Sequence, residues 1–175
     1  MPGYTFSHKP KAVKLIETKH RSIKTSIPVP ESIPIIEEIY LNESHSMHGQ
    51  LPIVWNYAED FIIGDYWGNR WIDFTSTIFV ANAGHGNKRI NKELNKVINK
   101  PLIHTYTYPS KERAEYLKYL IENTPKQFEK AFLLSAGTET TEAALKLMRL
   151  YAIKNNKKRR GVICFDGAFH GRTMG

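Results

Sequence analysis

Short apolar runs alternate with helical periods through the second half of this 175-residue chain, and that alternation leaves few folds open. Ala131-Phe132-Leu133-Leu134 is too short for a buried helix and is followed by the small-residue turn Ser135-Ala136-Gly137-Thr138. Glu139–Ile153 then carries a strong helical pattern, and Gly161-Val162-Ile163-Cys164-Phe165 is a second continuous apolar run. Strands that alternate with helices and are apolar on both faces predict a parallel sheet covered on two sides, so the class expected is α/β.

Upstream, Ile90, Leu94, Val97 and Ile98 fall at i, i+4, i+7 and i+8, the face of a helix that stops before Pro101. A further helix is expected at residues 110–123, with Leu117, Leu120 and Ile121 on its buried side and Pro125 ending it. Phe61–Tyr66 and Arg70–Phe74 read as strands joined at Trp67-Gly68-Asn69. There Gly and Asn are expected to supply the positive φ of a tight hairpin turn.

Hydrophobic residues make up 41% of the chain, enough to fold, and no apolar run approaches the roughly 18 residues of a membrane span. The single cysteine, Cys164, excludes an internal disulfide framework and fits a reducing, cytoplasmic setting, and the N-terminus offers no secretory signal. The net charge of +8 is concentrated early, where Lys9, Lys11, Lys14, Lys19, Arg21 and Lys24 face Glu17 alone. Such an arm can grip phosphate or anionic lipid or resemble a transit segment, but aromatics do not interleave with the charge, so a solvated, partly ordered leader is expected and nucleic acid is not. Lys88-Arg89-Lys92-Lys96 and Lys154-Lys157-Lys158-Arg159-Arg160 lie on or just after helices, where cations complement the helix dipole. The organisation expected is a basic leader over 1–50, a hairpin-bearing part of a small domain over 51–86, and the start of a larger domain over 87–175. The chain stops after two core strands, so it reads as the front part of a longer polypeptide.

The turn at Ser135–Thr138 carries the chemistry. The first amides of a helix have no internal partner and the dipole adds about half a positive charge, so such a turn can hold a phosphate. Gly137 permits close approach, and Thr138 offers a hydroxyl while serving as N-cap; a plain helix cap explains the same residues. Neither a nucleoside-triphosphate loop nor a dinucleotide fingerprint is present. Ligands of parallel sheets gather beyond the strand ends, which brings Asp166–Thr173 to the same crevice. There Phe169 can stack on a planar ring or simply pack, His170 can be a hydrogen-bonded loop residue, and Arg172 can clamp a carboxylate. His45 and His48 have metal-compatible spacing but too few companions, so no metal is expected. Glu37, Glu38, Glu139 and Glu142 read as solvated or cap-region charges.

Leu134–Arg149 (Leu-Ser-Ala-Gly-Thr-Glu-Thr-Thr-Glu-Ala-Ala-Leu-Lys-Leu-Met-Arg) and Cys164–Gly175 (Cys-Phe-Asp-Gly-Ala-Phe-His-Gly-Arg-Thr-Met-Gly) closely resemble the class III aminotransferases, pyridoxal-phosphate enzymes of fold type I. Asn69-Arg70-Trp71-Ile72-Asp73-Phe74 through Gly84-His85 is similar to that family's N-terminal signature, so three motifs stand in the family's order across residues 50–175. The resemblance implies pyridoxal 5'-phosphate held by the amides of Gly137 and Thr138, with Phe169 on the pyridine ring and His170 in the same cofactor site. It matches Arg172 to a position that binds substrate carboxylate in the acetylornithine branch and Ile78 to an apolar substrate-pocket position, and within the family the sequence most resembles the 4-aminobutyrate and related ω-amino acid aminotransferases. The reaction implied moves an amino group from an amino acid, ω-amino acids included, to a 2-oxo acid, within a homodimer. Ala136 stands where many members have serine or threonine, and Thr77 where the signature commonly has glycine. The family's Schiff-base lysine and pyridine-nitrogen aspartate are expected after Gly175, so no catalytic residue is assigned here, Lys146 reads as a surface residue, and the segment alone should be inactive. A racemase, decarboxylase or aminomutase on the same scaffold, and a basic interaction module, are the competing readings.

Overall fold

The computed structural model describes residues 6–100, 102, 104, 105, 107–158 and 161–173. Pro101, Arg159, Arg160, Met174 and Gly175, which figure in the expectations above, lie outside them. The chain divides into two compact units, Met1–His104 and Thr105–Gly175.

The first unit is built on an antiparallel five-stranded sheet of order β1-β2-β5-β4-β3: β1 is Ile16–Glu17, β2 Ser22–Ile23, β3 Tyr57–Glu59, β4 Ile62–Gly64 and β5 Arg70–Ile72. The expected hairpin is β4–β5, with Ile62 opposite Ile72 and Ile63 opposite Trp71. Its turn differs from expectation in one respect. Gly68 alone takes the left-handed conformation, at φ +86°, while Asn69 is fully buried and acts through its side chain. Asn69 Oδ1 accepts from the Lys24 and Thr25 amides (2.7 and 3.3 Å), and its Nδ2 donates to Thr25 Oγ1 (2.8 Å) and Asp65 Oδ2 (2.6 Å). A buried amide is stable only when so satisfied.

Those bonds tie the basic leader into the fold. The leader is solvated yet partly ordered: Lys9, Lys11, Lys14, Lys19, Arg21 and Lys24 are exposed, while residues 11–36 supply β1, β2 and most of the core, where Ile23, Val29, Ser32 and Ile36 are buried together with Ile63 of the hairpin. Glu17 on β1 pairs with Lys24 of the leader at 3.8 Å and with Arg70 of β5 at 3.1 Å. Helix α1 (Ile33–Asn42) follows, with Ile36 turned to the core.

The next element, α2 (Ser76–Phe79), is a single turn of the wrong hand: Ser76, Thr77, Ile78 and Phe79 all have positive φ, 47°, 53°, 55° and 67°. For L-residues each such position costs roughly 1–2 kcal/mol, and consecutive ones are rare. Helix α3 (Lys88–Ile98) begins where the period predicts, and Asn87 caps it by accepting from the Arg89 and Ile90 amides.

In the second unit α4 (Lys111–Glu122) starts at the N-cap Ser110, and Leu117, Leu120 and Ile121 are among its half-buried positions, as the pattern predicts. Helix α5 (Gly137–Lys154) covers the third expected helix. The two apolar runs are the correction. Residues 131–134 and 161–165 carry no strand pairing, so the described residues contain no parallel sheet. A parallel strand is stabilised by neighbours on its edges and helices on both faces. Among the described residues of this unit none is buried, and Phe132, Ile163 and Phe165 remain 71%, 96% and 83% exposed.

Candidate functional site

Helix α5 starts at Gly137, one residue before the expected cap. The N-cap is Ala136 in extended conformation, which offers no side-chain acceptor, and Thr138 lies within the first turn rather than capping it. The amides of Gly137 and Thr138 precede Thr140, whose N–H donates to the Ala136 carbonyl at 3.1 Å. Glu139 folds back to accept from the Ser135 N–H at 2.9 Å, and that bond holds its carboxyl below the usual carboxylate range. This fixes the Ser135–Thr138 turn without closing it, and Glu139 plays the cap-region part expected of it. A β-carbon built on Gly137 would meet nothing within 4 Å, so the approach to the two amides is open.

The loop after the second apolar run comes to this turn. The Arg172 amide donates to Thr138 Oγ1 at 3.4 Å, and a β-carbon on Gly171 would lie 3.4 Å from the Thr138 Cα. Gly171 has φ +104° and Gly167 +74°, conformations that glycine adopts at no steric cost. Phe169 stands 79% exposed, with its ring free for an outside partner, whereas the His170 Nε2 is enclosed without a hydrogen-bond partner. The structure therefore brings Gly137, Thr138 and the loop carrying Phe169, His170 and Arg172 together.

Ile78 belongs to the first unit. It sits at the crest of the left-handed α2 turn, 75% exposed beside Phe79 at 77%. Thr77 takes the positive φ that a glycine at its place would adopt more readily.

What secures α2 was not visible in the sequence. Asp73 is 9% exposed; its Oδ1 accepts from the Thr75 amide and hydroxyl (2.8 and 2.7 Å) and from the Ser76 amide (3.1 Å). Its Oδ2 lies 2.8 Å from His85 Nε2. Burial pushes the Asp73 carboxyl up, but the bonds from His85, Thr75 and Ser76 outweigh it and hold the group at about 2. His85 is itself fixed by paired main-chain bonds with Asp60 (2.9 and 2.7 Å) and by its ring edge against Trp55. The spacing Asp-x-Thr signals a local Asx turn, but nothing marks a partner twelve residues away. His45 and His48 pack edge to face, and His48 also packs against Tyr40.

The sequence model of the family described as aminotransferase class-III matches residues 44–175, and the chain belongs to that family. It is 37% identical over 119 residues to the mitochondrial acetylornithine aminotransferase of Candida glabrata, covering 65% of this chain and 28% of that protein. It is 36% identical over 130 residues to the acetylornithine aminotransferase of Clostridium acetobutylicum, covering 73% and 33%. Among solved structures, the ornithine δ-aminotransferase of Plasmodium falciparum aligns with a TM-score of 0.64 at 21% identity, over 74% of this chain and 33% of that one, a likeness of fold. The chain thus spans about a third of the length of the relatives it matches.

Class III aminotransferases use pyridoxal 5'-phosphate, and the residues present fit it. An uncapped helix start, an open approach at Gly137, the Thr138 hydroxyl and an enclosed, unpartnered His170 nitrogen form a donor set suited to a phosphorylated ring. Among the described residues no helix is long and apolar enough to cross a membrane.

Proposed function

We propose that this chain supplies the phosphate grip, the ring platform and part of the substrate wall of a pyridoxal-phosphate aminotransferase. The enzyme would move an amino group from an amino acid donor, ω-amino acids included, to a 2-oxo acid. The observation that carries the reading is the start of α5, where unclaimed amides, an open glycine and a threonine hydroxyl face the Phe169–Arg172 loop.

When bound, the cofactor supplies an electron sink that lets the amino group leave one carbon skeleton and join another. Gly137 and Thr138 would bind its phosphate through main-chain N–H groups aided by the α5 dipole. Thr138 Oγ1 accepts from the Arg172 amide, which leaves its proton to donate to the same phosphate. Phe169 would lie on the ring and exclude water from that face, and His170 Nε2 would take a polar partner there. Arg172 would pair with a substrate carboxylate bidentately, while Ile78 would line the apolar wall. Residues 87–175 begin the cofactor domain on this reading.

The names of the relatives point to acetylornithine-type donors. A cytosolic homodimer goes with the reading, since the free Cys164 fits a reducing setting. The test is to supply the complete protein with a nitrogen-labelled amino donor and a 2-oxo acid. Label in the new amino acid is the expected result; decarboxylated or racemised donor without transfer would reject it.

A further inference from the structure

An L-residue chain does not hold four successive positive-φ residues without restraint, and the first unit shows where the restraint comes from. Asp73 receives three hydrogen bonds from the entry to α2, and its second oxygen is held by His85. Both residues are anchored on the hairpin: the Asp73 amide donates to the Phe61 carbonyl at 2.7 Å, and His85 exchanges main-chain bonds with Asp60. The turn is closed by the Phe79 amide on the Thr75 carbonyl at 2.9 Å and the Ala81 amide on the Ser76 carbonyl at 2.7 Å. On the turn so closed, the apolar Ile78 and Phe79 are both exposed. Strain of this kind persists only where surrounding groups over-determine it, and it gathers where geometry serves function.

We infer that Asp73 and His85 are positioning residues that lock the α2 turn and thereby set the apolar wall met by the substrate's side chain. The inference rests on the aminotransferase reading for the role of Ile78. It goes beyond that reading in assigning the wall's shape to a carboxylate and an imidazole that need not touch substrate.

Two measurements decide it. In the 175-residue chain, chymotrypsin needs an extended segment to cut after Phe79, so the locked turn should be cut slowly compared with Phe128 of the second unit, which is 54% exposed. Asp73→Ala should raise the Phe79 rate at least fivefold with the Phe128 rate unchanged. His85→Gln, whose amide can still donate to Asp73, should stay within twofold of wild type, and Thr77→Gly added to Asp73→Ala should restore protection by easing the backbone. In the complete enzyme, Asp73→Ala should raise the KM for the amino donor about tenfold, leave kcat within twofold, and leave the affinity for pyridoxine 5'-phosphate unchanged. Loss of Phe79 protection with an unchanged KM would overturn the positioning role. Unchanged protection in Asp73→Ala would overturn the lock. A wild-type enzyme that transfers no amino group would remove the reading on which the inference rests, with the protease result standing apart.

Discussion

Asn69 Nδ2 lies 2.8 Å from Thr25 Oγ1, across forty-four positions of sequence, and that contact pins the basic leader to the hairpin turn just beyond the β2–β5 pairing. The leader's main chain is read by one buried amide on the hairpin turn, which explains why residues rich in lysine can form core structure. Asn69→Ala would leave the Lys24 and Thr25 amides and an Asp65 oxygen unsatisfied. The expected loss is roughly 2–4 kcal/mol, read as a lower urea midpoint for the first unit.

Asp73 links stability to pH with a definite sign. Its carboxyl titrates at about 2 in the folded chain against an ordinary 3.8, so it is the folded state that favours the ionised form. The stabilisation is complete above the ordinary value and is lost as pH falls from 3.8 through 2. Wild type and Asp73→Asn should therefore differ in unfolding midpoint at pH 6 and converge near pH 2.

Gly84 has φ +88°, and a β-carbon there would lie 2.9 Å from Asp60 Oδ1 and 3.3 Å from the Asp60 Cα. Gly84→Ala should cost roughly 1–2 kcal/mol from backbone conformation, with more from the contact, and should disturb the His85–Asp60 pairing. Thermal unfolding monitored at Trp55 would read both.

Gly137 behaves oppositely because the space around it is empty. Gly137→Val should leave the helix content unchanged while its methyl groups cover the amides of the turn. Affinity for pyridoxine 5'-phosphate, measured by calorimetry, should fall at least tenfold.

Much of this was legible in residue order. The periods of α3, α4 and α5 and the β4–β5 hairpin follow from local chemistry: apolar spacing, Ser110 and Asn87 as caps, Gly68 at the reversal. The two apolar runs of the second unit signal strands, yet pairing is a property of neighbours, and residues 131–134 and 161–165 have none among the described residues. The burial of Asn69, the hand of the α2 turn and the Asp73–His85 contact depend on tertiary placement that no local pattern encodes. The pairing of Thr138 with the Arg172 loop lay between these cases, since motif order suggests it and only coordinates give the 3.4 Å contact.

The central claim is that the start of α5 holds the phosphate of vitamin B6. Titrating nitrogen-15-labelled chain with pyridoxine 5'-phosphate, which has no aldehyde to react with lysines, tests it directly. Saturable amide shifts at Gly137 and Thr138, weaker with inorganic phosphate and lost in Gly137→Val, are the predicted result. Saturable binding that leaves those two amides unmoved would contradict it.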